Sequence, residues 1–520
     1  MKKNIMIVMA LFVSAGLFGQ GEIDAYRFSK NELSGTARGQ AMGGAFGALG
    51  GDATGIAINP AGIGVYSSSE IVFNTGLTYN QTQADFNGTK ELSGNTKLSC
   101  DNFAYVGYFP LGNDDLNSLN FGFNYNRLKN FDRKYSVSGK GMGSSLTDYM
   151  REITFGTQWN FWGSSYDDQF FASGHPHWLG VLGWNGYLIS EDTKSESEDE
   201  YVSILEEGEK VNPRLKVREK GSINAYDFTL GINLDNNVYL GATVAFTNIS
   251  YTVNTSYGEE FDNDGIFKLE NDYKTDGSGL QVKLGAIFRP TDALRLGISY
   301  HSPTMYNLTD FYRGTLSPKD IDEDEKPVST PDYDNYHKYK FQTPDVWTLS
   351  AAVVLGRSSI ISLDYEYKNY GAMNFSEQYL NGYDFEAENQ YINEDFKGAS
   401  TIRVGAETRF TPQFSGRLGF AWMQNPYNSK VKNGEIEVIT PGTIPNYTID
   451  GDALYLTTGI GFRFTPHFYM DLAIVYREQE DKLHFFSPTF DDDGNPLVVS
   501  TPSNLTNSSI KTQLTLGYKF

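Results

Sequence analysis

The chain has 520 residues, a formal net charge of −22 and a pI near 4.7. A mean hydropathy of −0.41, with no run approaching about 18 apolar residues after the N-terminus, excludes a helical membrane protein. The acidity argues against a nucleic-acid partner, and a single cysteine, Cys100, leaves no internal disulfide or zinc cluster. The high counts of Tyr (34), Phe (35) and Gly (53) suit a transmembrane β-barrel, whose strands need only every second residue apolar.

Residues 1–20 read as a signal peptide, with Lys2 and Lys3 ahead of a short apolar run and Gly19 near a cleavage point. No cysteine stands at that point, so a lipoprotein anchor is not expected. Residues 21–69 show no alternation and are rich in Gly and Ala, so the backbone can pack tightly in a confined space. Asp52 is placed to cap a short helix through Ile56 and Ala57, and Pro60 should end it at Asn59. The segment is expected to be a plug inside the lumen. Gly43 to Gly51 is not expected to be a nucleotide loop, because no strand precedes it.

From residue 70 the sequence falls into period-two hairpins. About fourteen strands are predicted, near 70–82, 98–110, 118–131, 222–234, 238–256, 278–289, 293–302, 345–355, 359–369, 398–410, 414–424, 452–464, 468–480 and 508–520. Their oily faces include Leu240, Val244 and Phe246, then Leu280, Val282, Leu284 and Phe288. Turns within pairs are short, as at Thr411-Pro412-Gln413. Connections between pairs are long and polar, at 304–343, 371–397 and 425–450. That asymmetry places the short turns in the periplasm.

Residues 132–221 read as one large extracellular insertion, with Ser145 to Trp162 a candidate helix. Acidic clusters at 191–209 and 320–325 read as solvated loops, with cation bridging as the alternative. His175 and His177 read as loop residues, and Cys100 as inert. Arg403, Glu407, Arg409 and Arg417, with Lys283, Arg289 and Arg295, are predicted lumen charges that either guide an anionic ligand or form an ion-pair lattice. The last strand alternates Ile510, Thr512, Leu514, Leu516, Tyr518 and Phe520 against polar residues. A terminal Phe on such a strand matches the assembly signal of outer-membrane barrels.

These pieces carry a resemblance. The Gly/Ala-rich segment ends in Asn59-Pro60-Ala61 directly before the first strand. The hairpins LGAIFRPTDALRLGISYHSP (284–303), RVGAETRFTPQFSGRLGFAW (403–422) and TTGIGFRFTPHFYMDLAIVY (457–476) follow, with TPDVWTLSAAV (343–353) and Phe520. The chain resembles the FadL/TodX family of outer-membrane transporters, in the form common in Bacteroidetes. The resemblance implies a fourteen-stranded antiparallel barrel (70–520) with an N-terminal hatch (21–69) in its lumen. It also implies a gate at Asp52, Asn59, Pro60 and Ala61, and a lateral opening at a kinked third strand, where Gly122 is the candidate kink.

The implied function is passive passage of hydrophobic small molecules, foremost long-chain fatty acids, across the outer membrane of a Gram-negative bacterium. The alternative is an interaction barrel in protein secretion or assembly. The expected partners are the hydrophobic ligand, outer-membrane lipid and lipopolysaccharide, and the barrel-assembly machinery. The chain is expected to be a monomer without cofactor or metal. No Ser/His/Asp or paired-carboxylate set stands out to suggest an enzyme.

Overall fold

The computed structural model describes residues 21–111, 115–172, 176–262, 265–331, 336–378 and 385–520. The predicted signal peptide and His175 lie outside them. Among the described residues the wall is a closed antiparallel barrel of fourteen strands. They are β1 (Glu70–Phe86), β2 (Thr89–Pro110), β3 (Leu116–Asn130, extended by Arg133–Ser138), β4 (Asn212–Leu234), β5 (Val238–Glu260) and β6 (Ile266–Phe288). Then come β7 (Leu294–His301 and Met305–Lys319), β8 (Tyr336–Gln342 and Val346–Leu355), β9 (Ser359–Asn369 and Asn374–Glu377) and β10 (Gly398–Arg409). The last four are β11 (Phe414–Met423), β12 (Tyr447–Arg463), β13 (Phe468–His484) and β14 (Ser503–Lys519). Each strand pairs with its neighbour in sequence, and β1 pairs with β14 from Glu70↔Lys519 to Asp85↔Asn504, which removes both sheet edges.

On the outer face, Leu280, Val282, Leu284 and Phe288 of β6 are exposed and Lys283 and Ile287 are buried inward. From Leu280 to Phe288 is roughly 27 Å along a tilted strand. At a tilt of about 35–45° that is roughly 20 Å of height, most of the ~25 Å apolar band of an outer-membrane barrel. Towards the long-loop end the amphipathicity inverts. On β5 the apolar residues Leu240, Val244 and Phe246 point out, whereas farther along Ile249, Tyr251, Val253 and Tyr257 are buried inside. Here the backbone runs on unbroken and the apolar residues change parity.

Strands β7, β8 and β9 reach the same inversion differently. Their apolar parity is constant, and the backbone breaks. Leu296, Ile298 and Tyr300 face out, and beyond Ser302-Pro303-Thr304 the equally spaced Tyr306, Leu308 and Tyr312 face in. The break at Thr343-Pro344-Asp345 does the same between Trp347 and Phe341, and the turn Tyr370–Ala372 does so in β9. Pro303 and Pro344 have no N–H to give a ladder, which fits their position at the breaks. The predicted polar connection 304–343 is therefore corrected in part, since 305–319 and 336–342 are wall.

The region 132–221 is likewise wall at both ends, with Arg133–Ser138 paired to Arg214–Glu219. Between them, α4 (Leu146–Thr154), α5 (Tyr166–Phe171) and α6 (Trp178–Asn185) close the long-loop end of the barrel. Met150, Trp162, Phe170, Trp178 and Leu182 pack there against the inward Tyr257, Phe267, Tyr312 and Leu316. Glu259 of β5 holds the cap in place. It accepts the Leu146 N–H at 2.9 Å and the Ser145 and Tyr257 hydroxyls.

Candidate functional site: the hatch and its seam

Residues 21–69 run down the lumen from the cap to the short-turn end. They form α1 (Glu22–Ser29), α2 (Ala37–Ala41), α3 (Ala53–Ile58) and a 3₁₀ turn (Pro60–Val65), and most are buried. Asp52 accepts the Thr54 N–H at 2.9 Å and the Thr36 hydroxyl at 2.8 Å, so it caps α3 and ties two parts of the segment together. Asn59 follows α3 with an extended backbone. Its Nδ2 donates to the carbonyls of Gly47 (2.7 Å), Ala286 (3.2 Å) and Ile298 (3.3 Å), and its Oδ1 accepts the Ala61 N–H at 3.1 Å. Pro60 opens the 3₁₀ turn, and Ala61 is buried against Tyr239 and Ile287.

The wall is cut to admit this segment. Lumen-facing glycines recur on successive strands where the segment's backbone touches. A Cβ on Gly241 would lie 2.3 Å from Pro60, on Gly285 2.0 Å from Asn59, and on Gly297 2.4 Å from Gly47. One on Gly405 would lie 2.4 Å from Met42, and one on Gly419 2.1 Å from Gly43. Gly122 belongs to this belt, since its Cβ would meet Ile63 at 2.6 Å. Strand β3 keeps its register through Gly122, and the shifts fall between Leu116 and Ser118 and between Arg127 and Lys129. Gly122 is therefore a space-making residue, and the expected kink is not at that position.

The irregular place lies just beyond. Strands β2 and β3 pair only from Asn102↔Asn126 to Pro110↔Ser118. Above it, β2 pairs with β1 alone and β3 with β4 alone. Among the described residues no backbone ladder joins 89–101 to 127–138. Side chains bridge the slit instead: Arg127 with Asp101 at 3.4 Å, Lys97 with Asp132 at 3.1 Å, and the Ser136 and Ser138 hydroxyls with Glu91. Its lower end is at the edge of the apolar band, where Leu77 and Leu98 are exposed as a cross-strand pair.

Directly behind the slit lies the segment 30–34. The Glu32 N–H donates to the Leu128 carbonyl at 2.9 Å, and the Asn126 side chain donates to the Ser34 hydroxyl at 3.0 Å. Lys30 reaches Asp450 (2.6 Å) and Gln479 (2.9 Å) across the lumen. Beside these residues is a cavity of about 120 Å³, whose lining includes Glu32, Ser34, Asn126, Leu128, His301 and Lys368. A site for a drug-sized ligand needs ~300–1,000 Å³, so this cavity is too small to hold one as it stands.

The predicted lumen charges are engaged in separate groups, Lys283 with Asp227 at 3.0 Å among them, with two exceptions. Glu407 takes Arg38 of α2 (2.8 and 2.9 Å) and Arg417 (2.5 Å), and Arg417 continues to Asp471 (2.6 Å). Glu366 holds Arg403 at 2.7 Å and Lys368 at 3.1 Å, while Arg295 donates to the Leu49 carbonyl at 2.7 Å. Arg289 and Arg409 are corrected. Arg289 pairs with Asp292 at a short turn (2.5 Å), and Arg409 is exposed at the foot of its strand. Sequence reasoning missed Arg38 and Asp471, and also Asp364, whose carboxylate accepts the Phe46 and Gly47 N–H groups at 2.9 Å each. Asp364 lies on an inward parity, the one signal that could have found it. Phe520 exchanges backbone hydrogen bonds with Ser69 (3.0 and 3.1 Å), so the chain end closes the barrel where the lumenal segment leaves it. His177 caps α6, accepting the Leu179 N–H at 3.1 Å.

A family model described as outer membrane protein transport protein (OMPP1/FadL/TodX) matches residues 222–500. Outer membrane protein P1 of Haemophilus influenzae is 23% identical over 246 residues, covering 46% of this chain and 47% of that protein. The chain thus matches about half the length of this curated relative. The crystal structure of a Pseudomonas aeruginosa FadL homologue superposes with a TM-score of 0.52 at 12% identity, over 94% of this chain and 99% of the other. A TodX monoaromatic hydrocarbon channel mutant superposes at 0.51 and 12% identity, over 93% and 98%. At such identities the two structures speak for the fold.

Proposed function

The chain belongs to the outer membrane protein transport protein family (OMPP1/FadL/TodX), and on that premise we propose that it passes hydrophobic small molecules, foremost long-chain fatty acids, across the outer membrane. The observation that carries this reading is a lumen plugged by the segment 21–69, part of which lies behind a slit in the wall whose lower end meets the edge of the apolar band.

Passage is passive. An apolar tail entering a widened lumen gains roughly 0.8 kcal/mol per CH₂, about 10 kcal/mol for sixteen carbons. Release therefore needs a moving part. The hatch supplies it: withdrawal of 30–34 from β3 enlarges the cavity and uncovers the slit between β2 and β3. Asp52, Asn59, Pro60 and Ala61 hold the lower half of the hatch and set how readily it moves. Strand backbones at the slit have only side-chain bridges to lose.

The test is uptake of labelled oleate, with toluene as a second hydrophobe, in a bacterium lacking its own fatty-acid porin. A heat-shifted gel band verifies the folded barrel. Oleate uptake that depends on the protein supports the proposal. Toluene uptake alone would move the ligand to aromatic hydrocarbons, and uptake of neither would overturn transport in favour of an interaction barrel.

A further inference from the structure

Above the apolar band the outer wall carries charge, and the charge is uneven. On β4, Arg214, Lys216, Arg218 and Lys220 alternate outward and are exposed, and Lys134 of β3 stands opposite Arg218. These five cations face no acid across either neighbouring strand. Their partners on β5 are Gly258, Ser256, Asn254 and Thr252, and those on β3 beside Arg214 and Lys216 are Ser138 and Ser136.

The acids nearby are engaged. Glu91 accepts from Ser136 and Ser138, Glu270 pairs with Lys268 at 2.6 Å, and Asp272 accepts from Asn254. The contrast with β6 is plain, because there Lys268, Glu270, Lys274 and Asp276 neutralise one another. A ladder of cations with no carboxylate in register, on a chain of net charge −22, makes a local positive surface that suits an external anion. A groove of about 690 Å³ crosses the same face, with Lys134, Lys216 and Arg218 along one side and Glu270 and Asp272 along the β6 side.

We propose that this face docks a phosphorylated glycolipid of the outer leaflet. Height selects the partner. Tyr226 is the outermost exposed aromatic of β4. Lys220 lies roughly 20 Å, and Arg214 roughly 40 Å, farther along the tilted strand. A phospholipid headgroup layer extends only about 5–8 Å beyond the hydrocarbon, so its phosphate stays below the ladder. A glycolipid with phosphates on an extended saccharide reaches it. Lysine and arginine then meet phosphate oxygens by charge-assisted hydrogen bonds. The docked lipid stands on β3 and β4, beside the slit.

The experiment is native mass spectrometry of the purified full barrel, restricted to preparations that are fully heat-shifted and therefore folded. The probes are a phosphorylated lipooligosaccharide, its enzymatically dephosphorylated form, and phosphatidylglycerol. The expected result is preferential retention of the phosphorylated glycolipid. Retention should fall about tenfold in Lys134→Gln/Lys216→Gln/Arg218→Gln and persist in Lys268→Gln/Lys274→Gln. Equal retention by the triple variant, or equal retention of the dephosphorylated form or of phosphatidylglycerol, overturns the proposal. Neither result depends on oleate uptake.

Discussion

Asn59 concentrates more of the hatch's attachment in one side chain than any neighbour in its turn. It is buried and bonds two wall strands and the hatch backbone at once. Asn59→Ala leaves three carbonyls short of a donor, at a cost of about 1–3 kcal/mol. The barrel ladder does not involve that side chain. The expected outcome is an unchanged heat shift and faster oleate uptake, and equal uptake at equal surface expression would remove Asn59 from the gate. A second residue-scale prediction concerns a further helix of the cap, Glu386–Asp395, which packs against α1 at the long-loop end. Burial, and then the neighbouring Glu394, push the Asp395 carboxyl up to about 7. Among the described residues its carboxyl oxygens have no hydrogen-bond partner, and Glu22, also raised by burial and by Asp395, lies close by. The raised value means that the folded state holds a proton the unfolded state has lost between about pH 4 and pH 7. Cap stability should therefore decline as pH rises through that window. Protease resistance of 385–397 should be lower at pH 8 than at pH 5.5, and Asp395→Asn should flatten the difference.

At the scale of elements, the hatch segment 30–34 and strand β3 form a pair that can be locked. Ser34 Oγ and Asn126 Nδ2 are 3.0 Å apart. Replacing both by cysteine, in a Cys100→Ser background, places two thiols within reach of a disulfide. Oxidation should abolish oleate uptake and reductant should restore it. Continued uptake by the oxidised protein would exclude withdrawal of this segment as the opening step. Reading these elements from sequence succeeded where one physical rule governed a strand. Inside the lipid band that rule is apolar out and polar in, and Leu280 to Phe288 obeys it except at Ile287, which turns inward onto Ala61 of the hatch. It failed above the band, where Tyr306, Leu308 and Tyr312 keep their spacing but turn inward past Pro303, so a wall segment read as a polar loop. It failed at the gate for another reason. Asp52 and Asn59 announced themselves through capping and Pro60. The slit, in contrast, exists because β2 and β3 each lose a partner, and pairing between distant segments leaves no mark on either one. Arg38 was passed over because a lone arginine in a Gly/Ala-rich stretch gives no hint of the Glu407 that meets it.

For the whole molecule, the inverted amphipathicity says where the membrane stops. If the barrel were simply a tall apolar-out cylinder, a charge on its outer face would cost the same at any height. Strand β5 separates the alternatives because its outward parity is constant from Val244 to Ser256 while its surroundings change from lipid to water. Val244→Arg puts a cation in the hydrocarbon, where midplane substitutions cost about 2–4 kcal/mol. Ser256→Arg puts the same cation on a wet surface between Lys216 and Glu270, where one like and one unlike charge, both screened by water, should leave the cost near zero. Tyr257→Arg turns it inward under the cap, among Phe267 and Phe485, where desolvation should cost several kcal/mol even beside Glu259, with no lipid involved. Denaturant titration of refolding into vesicles reads all three. Thicker bilayers should deepen the penalty at Val244 and leave that at Tyr257 unchanged, because only the first is set by the bilayer. A penalty at Ser256 as large as at Val244 would place the membrane over the basic face of β3 and β4, and the slit beside it would then open wholly into lipid.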